Sequence, residues 1–312
     1  MPEALTVKDE KATEPTAAAP APEKAAKPRS LWSDAWHDLR RNPLFVASAV
    51  LIALLLTMAF FPGLFTSADP RYANLDYYLQ KPKWGNVFDK DWLGYDVQGR
   101  SIYARVIYGA RASIAVAVAV TAIVTLLGTV VGMLAGYFGG WIDTLLSRIT
   151  DIFFGVPFIL GAMVVLTSFE VRALYVVILA LAFLGWTQIA RVARGSVLTI
   201  KNADYVQAAK ALGASTPRIL LKHIVPNAIA PVIVVATIAL GGYISAEATL
   251  SFLGIGLAEP TVSWGVDISS GQEQLRNQPS ILMIPSFMVS VTVLAFIMLG
   301  DAVRNALDPK LR

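Results

Sequence analysis

Asp204-Tyr-Val-Gln-Ala-Ala-Lys-Ala-Leu-Gly-Ala-Ser-Thr-Pro-Arg-Ile-Leu-Leu-Lys-His-Ile-Val-Pro226 is a polar stretch lying between two long apolar runs. It reads as two short helices hinged at Gly213. Asp204 caps the first helix, and Gln207 occupies the capping-box position three residues on. Ala208, Ala209 and Ala211 give that helix a thin wall, so another backbone can approach closely. Gly213 takes the left-handed conformation that ends a helix. Thr216-Pro217 restarts the chain with proline at the first helical position. Leu220, Leu221 and Ile224 lead back toward the apolar phase, and Pro226 ends the second helix. An ordinary capped loop shares this grammar, but a loop has no need of two consecutive capped helices. A helix–Gly–helix unit between two spans builds a docking surface on one side of a bilayer. Such a surface implies a moving partner.

The apolar runs on either side belong to a larger set. Of 312 residues 55% are hydrophobic and 15% are charged, where a soluble chain carries roughly a quarter charged. The deficit is concentrated in several runs of about 20 apolar residues, the length that crosses a bilayer as a helix. Lipid cannot satisfy open backbone groups, so the fold class is all-α, helix packed on helix. The formal charge of +4 comes without a basic cluster interleaved with aromatics, which argues against nucleic acid as a partner. Cysteine is absent, which excludes disulfides, thiolate nucleophiles and cysteine-bound metal. His37 and His223 have no second histidine at ligand spacing, so no metal site is expected. A Gly-rich phosphate loop followed by Lys-Ser/Thr does not occur, and no Ser/His/Asp arrangement stands out. We therefore expect no catalytic residue and no ATP hydrolysis by this chain.

Residues 1–29 are rich in Ala, Pro, Lys and Glu and are expected to form a disordered tail. The first apolar run begins near residue 44, too far along for a cleaved signal peptide. Residues 30–43 carry Leu31, Trp32, Trp36 and Leu39 on or near one helical face, as a helix lying in the membrane interface does. The remainder, 44–312, divides into six spans: Leu44–Phe65, Ser113–Tyr137, Ile152–Phe169, Leu174–Ile189, Asn227–Thr249 and Ile281–Val303. Two polar segments, 66–111 and 254–280, share one side with the short turn after Phe169. The helix–Gly–helix unit, 199–225, lies on the other side with both termini. That second side collects Arg40 and Arg41, Arg148, Arg191 and Arg194, Lys201, Lys210, Arg218, Lys222 and Arg304. Positive charge in short flanks marks the cytoplasmic face.

Here the sequence resembles a known family. Tyr205-Val-Gln-Ala-Ala-Lys-Ala-Leu-Gly-Ala with Ile224-Val-Pro-Asn227 looks like the EAA loop of bacterial ABC importer permeases, with Gln207 in place of the motif's glutamate. Trp92-Leu-Gly-Tyr-Asp-Val-Gln-Gly-Arg100, Arg105-Val-Ile-Tyr-Gly-Ala-Arg111, Glu247-Ala-Thr-Leu-Ser-Phe-Leu-Gly254 and Gly300-Asp-Ala-Val-Arg-Asn-Ala-Leu-Asp-Pro-Lys310 are similar to the C-type permease of dipeptide and oligopeptide uptake systems. The resemblance covers residues 30–312. It implies a type I importer permease fold in a bacterial inner membrane, paired with a second, homologous permease. It implies two ATPase subunits, which would hold the ATP and magnesium, and a substrate-binding protein on the outer loops. The transported solute would be a peptide, with nickel or another small solute as the alternative. ATPase coupling would fall on Asp204, Gln207, Ala208, Ala209, Gly213 and Pro217. A secondary transporter is the competing class, but it should show inverted repeats and buried coupling charges near mid-span, and neither is evident.

Three further features stand out within the spans. Gly128, Gly132 and Gly136 form a repeated small-xxx-small face, either for static helix packing or for sliding. Pro157 in the third span and Gly241-Gly242 in the fifth break helix regularity and are candidate hinges or packing residues. Glu247 near the outer end of the fifth span is an ionisable group at a costly depth. It either lines the outer mouth and meets a substrate amine, or is tied structurally to Ser251 or to an arginine of the first outer loop.

Overall fold

A computed structural model describes residues 31–83, 85 and 89–307. The tail 1–29 lies outside the described residues. Eleven α-helices are described: α1 Leu31–Arg41, α2 Pro43–Phe60, α3 Ile102–Phe138, α4 Gly140–Phe154, α5 Phe158–Thr167, α6 Leu174–Ile200, α7 Asp204–Ala211, α8 Thr216–Ile219, α9 Val225–Phe252, α10 Trp264–Gly271 and α11 Ser280–Leu307. No strand occurs among the described residues. Five helical segments are long and apolar enough to cross a bilayer. The bent pair α4–α5 makes a sixth where its two helices count as one broken span.

The amphipathic segment is helical as expected. Its exposed Trp36 lies edge-on to Phe45, with Arg40 stacked 4.6 Å from the indole centre. Asn42 separates α1 from α2, and its Oδ1 accepts from Leu44 N at 2.9 Å with Pro43 in the first turn.

Several boundaries depart from the sequence expectation. The second span begins at Ile102 rather than Ser113, so the polar segment assigned to 66–111 ends at Ser101. Ser101 caps the helix, and Ile102, Val106 and Ala110 bury one face despite the charges of Arg105 and Arg111. At 1.5 Å per residue, α3 is about 55 Å long and projects well beyond a hydrocarbon core of about 30 Å. The fourth span continues past Ile189 to Ile200, which shortens the unit assigned to 199–225. The polar segment 254–280 contains a helix of its own, α10.

The third span is the largest departure. The expected single helix Ile152–Phe169 is instead two helices bent by 84° at Gly155-Val156-Pro157. Pro157 has no N–H and its ring opposes the carbonyl four residues back, so α4 cannot run through it. The chain restarts with Gly161 N donating to Pro157 O at 2.8 Å. Gly241-Gly242, the other candidate break, lies within an uninterrupted α9.

The core is a helical layer in which α3, α6 and α9 pack on one another. Val116, Val120, Val124, Leu181, Ile189 and Ile244 are at its centre, each 0 or 1% exposed. The glycine face of α3 meets α6 directly. A Cβ on Gly128 would lie 2.6 Å from Trp186 O, on Gly132 2.3 Å from Ala190 O, and on Gly136 2.9 Å from Val197 Cβ. These glycines therefore set the helix separation through backbone contact, which is how membrane helices gain dispersion energy without a hydrophobic driving force. Past this seam Arg194 grips Asp143 through Nε at 2.5 Å and Nη2 at 2.7 Å. Lys201 Nζ donates to Gly136 O at 2.7 Å.

Candidate functional site

The unit singled out in the sequence stands at one end of the bundle. The first helix starts at Asp204, with Ala203 as the flanking residue and no side-chain cap. Asp204 is thus not the cap. It is the first helical residue, placing a carboxylate against the positive end of the helix. Gln207 consequently falls outside a capping box, and its Nε2 donates to Lys201 O at 2.8 Å, closing the helix onto the end of α6. Gly213 ends the helix in the left-handed conformation expected of it. Its φ is +79°, Ala214 N donates to Ala209 O at 3.0 Å and Gly213 N to Lys210 O at 3.0 Å, the paired bonds of a Schellman ending. Helix α8 then starts at Thr216, so Pro217 occupies the second helical position, not the first.

Pro226 does not end the second helix. α8 passes through one π-turn, Leu220–Ile224, into α9. The wider turn precedes Pro226, which sits in the first turn of α9 where its missing N–H is tolerated, and Asn227 Nδ2 donates to His223 O at 2.7 Å. The unit is therefore continuous with the fifth span.

Two faces separate cleanly on α7–α8. Val206, Ile219, Ile224 and Ala228, none more than 4% exposed, pack with Val197 of α6, and Tyr137 of α3 closes over them. The opposite face carries Tyr205 at 46%, Leu212 at 87% and Leu221 at 69% exposure. Ala208, Gly213 and Pro217 are exposed with them, Ala209 is half-buried, and Lys210, Arg218 and Lys222 rim the face. Chemically, this is an apolar knob with a basic border, fixed by its inner face to three spans.

The other end of the bundle holds Glu247, fully buried and without an arginine. Its Oε1 accepts from Ser251 Oγ at 2.9 Å and Ser263 Oγ at 3.3 Å, and its Oε2 from Ser113 Oγ at 3.0 Å. The expected tie to Ser251 is present, and the alternative arginine tie is absent among the described residues. Ser113 Oγ also accepts from Trp264 N, and Trp264 Nε1 donates to Val106 O at 2.9 Å. Glu247 is thereby the centre of a hydroxyl network joining α3, α9 and α10.

The arginines of the first polar segment are occupied elsewhere. Arg105, 2% exposed, donates from Nε to Asp267 Oδ1 at 2.6 Å and from Nη2 to Glu259 Oε1 at 3.2 Å. Arg100 pairs with Asp96 at 2.7 Å and Glu259 at 2.8 Å. Gln278 Nε2 donates to Gln80 O and Tyr95 O. Nearby, the Tyr95 hydroxyl donates to Asp91 and holds that carboxyl below its ordinary range, while burial and then Asp91 push the phenol upward. These links bind the two polar segments into one cap. Sequence reading missed the ties of Arg105 and Arg100 to Glu259 and Asp267 and those of Gln278 because they join residues more than 150 apart in the chain, and the only local signal was charge in an otherwise apolar helix start.

The chain was compared with known proteins. The model of the binding-protein-dependent transport system inner membrane component family matches residues 128–312, and that of the N-terminal TM domain of oligopeptide transport permease C matches residues 30–82. The oligopeptide transport system permease protein OppC of Bacillus subtilis (strain 168) is 38% identical over 92% of each chain. The dipeptide transport system permease protein DppC of Alkalihalophilus pseudofirmus is 35% identical over 94% of each. The glutathione transport system permease protein GsiD of Shigella flexneri is 36% identical over 91% of this chain and 92% of that one. Among solved structures, the inward-facing MetNI methionine ABC transporter shares the fold, with a TM-score of 0.51 at 19% identity over 65% of this chain and 96% of that one. Span order, loop motifs and these matches agree: the chain belongs to the binding-protein-dependent transport system inner membrane components, the permeases of ABC importers, and among them to the oligopeptide permease C type.

Proposed function

We propose that this chain is one membrane-spanning half of an ATP-driven peptide importer in a bacterial inner membrane. Both termini and α7–α8 face the cytoplasm, and the cap at the Trp264 end faces outward. A second, homologous permease forms the other half. Two ATPase subunits lie beneath and hold the ATP and magnesium, and one of them grips α7–α8. A substrate-binding protein delivers solute to the outer cap. The relatives named for oligopeptide, dipeptide and glutathione transport support a peptide as that solute.

The observation that carries this reading is the two-faced knob. Its exposed apolar surface is available to a partner, and its buried surface is locked to α3, α6 and α9. Movement of the partner therefore moves the spans as a body. ATP-driven closure draws the two docking units together and turns the cavity outward, and hydrolysis returns it inward. The ATPase need only bind one arrangement of the knobs better than the other.

The variant Leu212→Glu/Leu221→Glu tests this directly. Both side chains are exposed, so the chain should fold and purify normally. Loss of two central apolar anchors should remove at least about 2 kcal/mol of ATPase binding, roughly thirtyfold in Kd. Co-purification of ATPase subunits with the full chain and its partner permease, together with uptake of labelled peptide, provides the measurement. Undiminished co-purification and uptake would remove α7–α8 as the docking element.

A further inference from the structure

The break between α4 and α5 lies at a depth where irregular backbone is hardest to sustain. Phe153 on one side of it packs on Phe183 and Trp186, and Phe158 on the other packs on Tyr243. The Tyr243 hydroxyl donates to Gly185 O at 3.2 Å. Counting along α6 from Leu174 at 1.5 Å per residue, Gly185 is about 16 Å in, near the middle of a hydrocarbon core of about 30 Å. Non-helical backbone at that depth persists only where it is buried in protein or lines a water-filled cavity.

A cleft of about 560 Å³ opens beside the break, walled by α6, α9 and residues 153–159. Gln188, Gly242 and Ser245 are exposed along it. The Gln188 carboxamide and the Ser245 hydroxyl make no hydrogen bond among the described residues. Each would cost free energy against lipid tails, which provide neither donor nor acceptor. Polar groups inside a membrane face a cavity or a partner, and mark solute paths. No Lys, Arg, Asp or Glu lines this cleft among the described residues.

We propose that this cleft is the chain's own wall of the translocation path, and that it holds a peptide in transit through the peptide's backbone amides. Gln188 and Ser245 supply the hydrogen bonds, and Phe153, Phe158 and Tyr243 supply an apolar surface for side chains; the nearby Arg191, stacked 3.7 Å from the Phe154 ring centre, is already paired with Asp151 at 2.8 Å. This rests on the importer reading above. It goes beyond it by naming the lining residues and the part of the solute they contact.

The lack of native cysteine makes the test direct. Gln188→Cys, Gly242→Cys and Ser245→Cys are made singly, with Val50→Cys on α2 and Leu126→Cys on α3 as exposed apolar comparison positions. Each full chain is assembled with its partner subunits in proteoliposomes and exposed to a charged, membrane-impermeant maleimide, both without nucleotide and after vanadate trapping. Reaction requires thiolate in contact with water, so the three cleft positions should label about tenfold or more faster than the comparison positions in at least one state. Transported peptide, added with the binding protein and ATP, should slow labelling at position 188 severalfold. Slow labelling at all three positions in both states would mean that lipid or the second permease covers the cleft, and would overturn the proposal. Fast labelling that peptide leaves unchanged would overturn the peptide contact. Peptide uptake by the complex with the unsubstituted chain is followed in parallel. Its absence would sink the peptide-importer reading, while the labelling would still report whether the cleft is wet.

Discussion

Replacing Gly132 with valine is expected to abolish recovery of folded, monodisperse chain. A Cβ there would lie 2.3 Å from Ala190 O and 2.8 Å from Ala193 Cβ. The nearest obstacle is backbone of α6, which has no rotamer to change, so the two helices must separate. Separation at the centre of the seam also opens the contacts at Gly128 and Gly136. Overpacking usually costs about 1–3 kcal/mol, and more where the structure cannot give way. We expect about 3 kcal/mol or more here, because helix packing is the main source of association energy in lipid. Alanine substitutions should follow the measured spacing, with Gly132→Ala the most damaging, Gly128→Ala next and Gly136→Ala the mildest. Thermal unfolding in detergent and the monodisperse fraction on gel filtration would check the order. Leu127→Val, on the half-exposed side of α3, is the control. Wild-type stability in Gly132→Val would mean that α3 and α6 are not in backbone contact.

The second large effect is expected at Arg105. Arg105→Ala removes the guanidinium that satisfies Asp267, which is 5% exposed, and leaves Glu259 paired with Arg100 alone. Breaking a buried pair by removing one partner costs about 3–5 kcal/mol, most of it the penalty for the stranded charge. The double replacement Arg105→Met/Asp267→Leu removes both charges and should recover much of that loss. A double-mutant cycle on thermal stability gives the coupling directly. The single variant should also let protease reach this cap, since Arg105 holds α10 against α3. Equal stability in Arg105→Ala and the unsubstituted chain would show that the pair contributes nothing to the cap.

The sequence was most legible where one stretch of chain is enough to define a feature. The apolar runs give five helices long enough to cross and a bent pair that can make a sixth, because length and composition alone decide whether a helix can sit in hydrocarbon. Gly213 terminates α7 as read, because a left-handed ending depends on φ and little else. Legibility failed at boundaries and at pairings. Arg105 and Arg111 suggested loop, but their partners allow charge to sit at the start of a helix. Pro226 suggested a stop, but one π-turn places it in the first turn of α9, where proline is tolerated. Asp204 suggested a cap, but the helix begins one position earlier than its side chain would require.

On its own, the order of residues determined an all-helical chain with apolar runs for five or six crossings and a two-helix unit between two of them, while its permease family rested on motifs shared with known proteins. The helical features are local, set by hydrophobic length and by proline and glycine chemistry. Tertiary structure alone decided that the Gly128–Gly136 face seats on α6. It also decided that Glu247 answers to three serines rather than an arginine, and that Arg105 finds Asp267 162 residues away. Contacts of that kind follow from which helices lie side by side. Packing in three dimensions chooses those neighbours, and no pattern within a single helix encodes them.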